Sequence, residues 1–257
     1  MPEPIVSGLR DRAVLVTGAA GGIGSAIVAC LHESGARVLA VDVAQGPLDE
    51  LLDGLDGPSD RHLAIACDLK DLEEHAGLVE RARAELGGLH ALIHAAAVLR
   101  RRDSIDEVTE DDWDAQVDTN LKATFFLNRA VAQAFIADGT PGRIVNFTSQ
   151  GWQSGGYGGS VVYSATKGGV VSMSRGLARS LAPHGITVNT IAPAAADTPM
   201  LRDGQTDEQL ADFIKMIPLG RMAEPREVAT GAVFLISDHA AYITGATLNV
   251  SGGQLMY

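Results

Sequence analysis

The stretch Ala13-Val14-Leu15-Val16-Thr17-Gly18-Ala19-Ala20-Gly21-Gly22-Ile23-Gly24 decides the fold. A short apolar run ends in a glycine-rich turn, and the turn opens a helical pattern. The run reads as a strand buried on both faces. The glycines tighten the turn and let backbone N–H groups approach a pyrophosphate at the helix N-terminus. The spacing is G-x-x-x-G-x-G rather than G-x-G-x-x-G. A glycine-rich turn on its own is often only structural, but its place directly after the first apolar run favours a dinucleotide site.

Further apolar runs follow at Ala36–Asp42, His62–Cys67, Ala91–His94, Arg143–Thr148, Ile186–Ile191 and Ala246–Val250, with longer helical patterns between them. Thr109-Glu-Asp-Asp112 has the form of a capping box, and Pro225 occupies a first-turn position before Glu227 to Ile236. Gln45 to Asp60 reads as a short helix with loops. Strand–helix alternation of this kind predicts one α/β domain over residues 1–257: a Rossmann-type, doubly wound parallel sheet of about seven strands with helices on both faces. Ala194 to Pro218 breaks the rhythm as a long insertion, and loops of that length are usually functional lids.

Composition excludes several classes. The net charge of −12 argues against nucleic acid and anionic membrane as partners. No run approaches the roughly 18 apolar residues of a membrane span, and Met1 to Arg12 lacks a signal-peptide core. Cys30 and Cys67 have no metal or redox spacing, and the seven histidines form no metal motif, so no metal is expected. These readings place the chain in the cytoplasm.

Two features point to chemistry. The second strand ends in Val41-Asp42, about 20 residues beyond the glycines. An aspartate there suits the ribose hydroxyls of NAD and repels the 2′-phosphate of NADP. Asp68, ending the third strand, is placed to meet the adenine edge or to act as a helix cap. The second feature is Tyr163-Ser164-Ala165-Thr166-Lys167, in which phenol and ammonium share one helix face. A phenol has a pKa near about 10 and is a poor base at neutral pH; a neighbouring ammonium favours its phenolate. Tyr157 is a rival phenol, but Val161 stands at its i+4 position.

These motifs together resemble the short-chain dehydrogenase/reductase family, over essentially the whole chain. The resemblance rests on the Thr17–Gly24 turn, Tyr163-x-x-x-Lys167, Asn120 in Asp118-Thr-Asn-Leu121, the strand Ile144-Val-Asn-Phe-Thr-Ser149, Gly185-Ile-Thr-Val-Asn-Thr-Ile-Ala-Pro193 and Tyr242-Ile-Thr-Gly245. It implies an NAD-dependent alcohol dehydrogenase or ketone reductase, with Tyr163 exchanging the substrate proton and Ser149 hydrogen-bonding the reacting oxygen. Lys167 would lower the tyrosine pKa and bind the nicotinamide ribose, and Asn120 would hold a water linking Lys167 to solvent. Gly18, Gly22, Ile23, Gly24, Asp42, Asp68, Ala95, Ala196 and Thr198 would complete the cofactor site. Gln150, Trp152, Tyr157 and Met200, with Leu99 nearby, are expected to face substrate. That mixed wall suits a cyclic polyol, a sugar or a hydroxy-acid derivative about equally, with no evident carboxylate clamp. The family also implies a homotetramer.

The chain departs from the pattern in four places. His94-Ala-Ala-Ala97 replaces Asn-x-Ala-Gly, and His94 is expected to bond nearby main chain. Ala194 follows Pro193 where glycine is usual, and Ser251-Gly-Gly replaces Asp-Gly-Gly. Ser149 lies one residue further from Tyr163, the extra residue falling in the Gly155–Gly159 loop. The nearest rival activity is an NADPH-dependent 3-oxoacyl-thioester reductase. A non-catalytic dinucleotide sensor could dispense with Ser149, Tyr163 and Lys167, all present here. The triplet Arg100-Arg101-Arg102 reads as a solvated loop.

Overall fold

A computed structural model of the chain describes residues 8–56, 61–156 and 160–256. Tyr157 and part of the glycine-rich loop beside it lie outside the described residues.

Seven strands form one sheet in the order β3-β2-β1-β4-β5-β6-β7, every neighbouring pair parallel. They are β1 Ala13–Thr17, β2 Arg37–Asp42, β3 Leu63–Ala66, β4 Ala91–His94, β5 Arg143–Phe147, β6 Thr187–Pro193 and β7 Thr247–Val250. Each falls on a predicted apolar run, trimmed or extended by one or two residues. The order reverses at β1, which pairs with β2 on one side and β4 on the other. A crevice opens at such a reversal, beyond the strands' carboxyl ends. Because the strands run the same way, those ends share one edge of the sheet.

Alternation within the strands builds two apolar layers. Val14, Val16, Val38, Ile93 and Val145 face α1 Gly22–Glu33 and α10 Pro225–Ile236. Leu15, Leu39, Leu92, Ile144 and Val188 face α3 Glu74–Glu85, α5 Ala123–Asp138 and the end of α7 Val161–Leu181. Phe135 on α5 is 1% exposed. Truncating such a ring to alanine typically costs about 3–5 kcal/mol. The apolar layer is interrupted by a reciprocal amide pair. Asn128 and Asn146 each donate to the other's side-chain oxygen at 2.9 Å, and Asn146 also donates to Ser174 Oγ at 3.0 Å. This satisfies polar groups on α5, β5 and α7 that burial would otherwise penalise.

Local signals set the helix starts. The capping box predicted at Thr109 opens α4 Glu110–Val117: Thr109 Oγ1 accepts from the Asp112 N–H, and Asp112 Oδ2 accepts from the Thr109 N–H, both at 3.1 Å. Pro225 sits in the first turn of α10 as expected. Between α4 and α5 the chain makes a π-helical turn, Asp118–Lys122, with Asn120 buried in it. Such turns recur at functional sites. Within Gln45–Asp60 a helix forms over α2 Gln45–Asp53. The 194–218 segment carries two helices, α8 Pro199–Arg202 and α9 Asp207–Lys215. A short helix, α6 Gly151–Ser154, follows β5. No helix among the described residues is long and apolar enough to cross a membrane. Both cysteines are free thiols; burial raises the pKa of Cys30 and pushes Cys67 up to about 11.

Candidate active site

A cavity of about 440 Å³ occupies the crevice, within the size range of cofactor and ligand sites. One end is the glycine-rich turn. Gly18 has φ +66°, and a Cβ there would stand 2.7 Å from the Ala96 nitrogen. A Cβ on Gly24 would stand 1.9 Å from the Gly18 carbonyl oxygen. Only glycine fits these positions, so the turn closes tightly and the start of α1 faces the cavity. Gly22, Ile23, Ala95, Ala196 and Thr198 also line it. Thr198 caps α8, its hydroxyl accepting from the Leu201 N–H at 3.4 Å.

Asp42 lies at the carboxyl end of β2, beside this end of the cavity. Its Oδ2 accepts from the Ala20 N–H at 2.9 Å and its Oδ1 from the Val43 N–H at 2.8 Å. The carboxylate therefore holds the glycine-rich turn as well as its own strand end. Asp68 is turned to local work. It accepts from the Lys70 N–H at 3.0 Å and pairs with Lys70 Nζ at 3.3 Å, outside the cavity lining.

At the other end stand Ser149, Tyr163 and Lys167. Ser149 follows β5 directly, and the first turns of α7 bring the other two across from it. Ser149 hydrogen-bonds the Tyr163 phenol, and its Oγ also accepts from the Gly151 N–H at 3.2 Å. Lys167 is 2% exposed and donates from Nζ to the Phe147 carbonyl at 2.8 Å. In return Thr148 Oγ1 donates to the Lys167 carbonyl at 2.8 Å. The ammonium nitrogen lies 5.6 Å from the centre of the Tyr163 ring.

Burial dominates the electrostatics of the pair. Tyr163 is pushed up to about 12, chiefly by burial, against opposition from the Ser149 hydrogen bond and the Arg101 charge. Lys167 is pushed down to about 7 by burial. Lys167 is not among the groups that shift the phenol in this state, and its Nζ donates to the Phe147 carbonyl.

Asn120 is buried against Val98. Its Oδ1 accepts from the Val98 N–H at 2.8 Å, while its Nδ2 donates to the Val98 carbonyl at 2.9 Å and Thr166 Oγ1 at 3.3 Å. The side chain pins the loop after β4 and does not line the cavity. His94 differs from expectation too: its partners are hydroxyls, not main chain. Thr124 donates to the Asn120 carbonyl at 2.8 Å, so its oxygen accepts from His94 Nε2–H at 2.8 Å. His94 Nδ1 then accepts from the Thr17 hydroxyl at 2.7 Å. Burial, with Lys167 and His75 nearby, pushes His94 down to about 3, so the ring is neutral. The histidine clasps β1 and β4 to α5 where the usual asparagine would stand.

Of the expected substrate contacts, Gln150 and Met200 line the cavity, as does Leu99. Gln150 Oε1 is buried and has no hydrogen-bond partner among the described residues. Trp152 does not line the cavity; α6 carries it toward α7, where the Arg175 guanidinium stands 5.9 Å from its ring centre. Tyr157 falls outside the described residues.

Two features were missed from sequence. Arg101 lines the cavity instead of lying in solvent, because its Nη1 donates to the Asp203 carbonyl at 2.5 Å and the Leu201 carbonyl at 3.4 Å. No local signal separates it from its two neighbours. The other is the start of α9, a capping box in which Thr206 and Gln209 bond reciprocally at 2.8 and 3.2 Å. Its Thr-x-x-Gln signature was legible.

The family pattern described as enoyl-(acyl carrier protein) reductase matches residues 18–254. The (3R)-3-hydroxyacyl-CoA dehydrogenase of Homo sapiens is 33% identical over 264 residues, covering 100% of both chains. L-xylulose reductase of Bos taurus is 39% identical over 248 residues, covering 96% of this chain and 98% of its own. Among solved structures, a 3-ketoacyl-(acyl-carrier-protein) reductase from Brucella melitensis, complexed with NADH, superposes with a TM-score of 0.88 at 29% identity. It covers 97% of this chain and 100% of its own. With this sheet order, this turn and these whole-length relatives, the chain belongs to the short-chain dehydrogenase/reductase family of oxidoreductases.

Proposed function

We propose that this oxidoreductase interconverts a secondary alcohol and a ketone with NAD as its preferred cofactor. The observation carrying the proposal is one cavity with a pyrophosphate-sized glycine turn at one end and Ser149, Tyr163 and Lys167 at the other. The residues fit a nicotinamide dinucleotide. Gly18, Gly22, Ile23 and Gly24 would hold the pyrophosphate, Asp42 the adenosine ribose, Ala95, Ala196 and Thr198 the nicotinamide half, and Lys167 the second ribose. When bound, the nicotinamide supplies the hydride acceptor or donor at C4.

The protein's own part is the proton. Ser149 orients the reacting oxygen toward the phenol. In the reducing direction Tyr163, held protonated by burial, gives its proton to the oxygen that was the carbonyl. In oxidation the phenolate must take the hydroxyl proton, and Ser149 and the Arg101 charge are the groups that favour it. Asn120 acts by holding the loop after β4. The partnerless Gln150 oxygen supports a substrate bearing a further hydroxyl or amide donor. Asp68, bonded to Lys70 in the turn after β3, keeps no cofactor role in this reading, and Glu73 takes the N-cap position of α3. Trp152 keeps no substrate role.

A second reading, an NADPH-dependent 3-oxoacyl-thioester reductase, is favoured by the family description and by the Brucella relative's name. Asp42 opposes it through repulsion of a 2′-phosphate. A panel of secondary alcohols, ketones and one acetoacetyl thioester, assayed with NAD(H) and NADP(H) separately by reduced-nicotinamide absorbance, separates the two. Turnover of alcohols or ketones with NAD(H) supports the first reading; efficient turnover confined to the thioester with NADPH overturns it. Exposed Trp113, Phe125 and Val161 on α4, α5 and α7 support assembly into a homotetramer, and an acidic chain whose described residues hold no membrane-crossing helix fits a cytoplasmic enzyme of one domain.

A further inference from the structure

The charge of the cavity is opposite to that of the chain. The sequence carries a net charge of −12, yet among the described residues no aspartate or glutamate lines the cavity. The basic side chains among the described lining residues are Lys167 and Arg101. Lys167 is committed to the Phe147 carbonyl. Arg101 is different. It is half-buried, and the apolar side chains of Leu99, Met200 and Phe213 line the same cavity. Its hydrogen bonds run from Nη1 to neutral carbonyls, and no carboxylate lies within ion-pair distance of it among the described residues. The neighbouring Arg102 shows the contrast: it is exposed, and Asp112 neutralises it through two bonds of 2.8 and 2.9 Å.

The Asp203 charge offsets the burial of Arg101 only in part and from beyond ion-pair distance, so a half-buried guanidinium without an ion pair still gains from an anion that reaches it. Its location identifies the anion. Arg101 acts electrostatically on the Tyr163 phenol, so it stands at the reacting end and not at the glycine turn that suits pyrophosphate. An anion held there belongs to the substrate. The guanidinium has five donors in a planar fork; Nη1 is fixed by carbonyls of the 201–203 segment, and Nη2 and Nε remain for a carboxylate.

We propose that Arg101 recognises a carboxylate carried by the substrate near its reacting carbon, so that the substrates are hydroxy and oxo carboxylates of small size. This rests on the oxidoreductase reading above and narrows it. Binding such an acid also joins the substrate, through one side chain, to the segment that closes the cavity.

The test is a selectivity ratio. The catalytic efficiencies of the protein with 3-hydroxybutyrate and with 2-butanol are measured with NAD, and those with acetoacetate and butanone with NADH. The carboxylate of each pair is expected to be preferred at least tenfold. Arg101→Gln should collapse that ratio at least tenfold, chiefly through KM of the acid, and Arg101→Lys should keep most of it because the charge remains. Equal losses on acid and neutral partner would limit Arg101 to favouring the phenolate or to structure and overturn the proposal, as would a wild-type protein that favours the neutral partner. Calorimetric titration with malonate gives a readout independent of turnover, in the presence of NAD. Malonate bound by the wild-type protein and not by Arg101→Gln, of unchanged melting temperature, supports the site even if no alcohol in the panel reacts; that last result would sink the oxidoreductase reading alone. If Arg101→Gln fails to fold, Arg101→Lys and Arg101→Met are compared in the same way. Absence of malonate binding together with absence of acid preference overturns the site.

Discussion

Lys167 and Phe147 are joined by a 2.8 Å hydrogen bond from the lysine Nζ to the phenylalanine carbonyl, which fastens α7 to the end of β5. Since Thr148 returns a bond to the Lys167 carbonyl, the distance between the phenol on α7 and the serine after β5 is set by a double fastening. Removal of the phenol oxygen leaves that fastening in place. Tyr163→Phe is therefore expected to lower turnover by about 10²–10⁴-fold, the usual range for losing a positioned acid or base, with little change in NAD affinity. Steady-state rates and a cofactor titration by fluorescence check both halves. A Phe variant with full turnover would remove Tyr163 from the mechanism.

Lys167 also predicts how stability varies with pH. Folding moves its pKa from about 10.5 down to about 7. Between those values the unfolded chain holds a proton that the folded chain has lost. Stability from this group accordingly rises with pH across the window, with a slope of up to about 1.4 kcal/mol per pH unit, the value for one proton. Tyr163 acts in the opposite sense above pH 10, where the folded chain retains a proton that the unfolded chain sheds. Denaturant titrations of the ligand-free protein between pH 7 and 9.5 should show the rise, and Lys167→Met should flatten it. Identical slopes in the two proteins would show that the lysine is not held neutral.

Asp42 is expected to make NAD the preferred cofactor, judged by catalytic efficiency on one substrate. Asp42→Ala should narrow the preference, and it should also weaken NAD itself, because the Ala20 N–H loses its acceptor and the glycine-rich turn its brace. A variant that gains NADP activity with unaltered NAD affinity would limit Asp42 to cofactor choice.

The 194–218 segment is expected to close over substrate. Leu201, Met200 and Phe213 line the cavity from α8 and α9, while Met216 is exposed. Hydrogen exchange across 201–216 should slow by at least tenfold when NAD and a substrate analogue are added together. Protection already equal to that of β1 and β4 in the free protein would make the segment a fixed wall.

Much of this was written in local sequence. The strands of the sheet announce themselves as apolar runs such as Ala13–Thr17, and helix starts by side chains that cap them, as at Thr109. The carboxyl-end position of Asp42 and the shared helix face of Tyr163 and Lys167 follow from register alone. What sequence withheld depends on neighbours brought from afar. The direction of the Tyr163 shift is set by burial under residues from several elements. Arg101 is set apart from Arg100 and Arg102 by meeting carbonyls about 100 residues later. Trp152 points away from the cavity because α6 turns it toward α7, which adjacency to Ser149 does not reveal.

The shared direction of the seven strands has a practical corollary. Every group assigned to chemistry lies along the carboxyl edge, and the opposite edge is free for handling. Ala137, exposed in the last turn of α5 ahead of β5, sits on that opposite side. A cysteine placed there would be labelled ahead of Cys30 and Cys67, whose thiols burial keeps protonated. The protein can then be tethered to an electrode or bead by one defined point, with the mouth of its cavity turned outward.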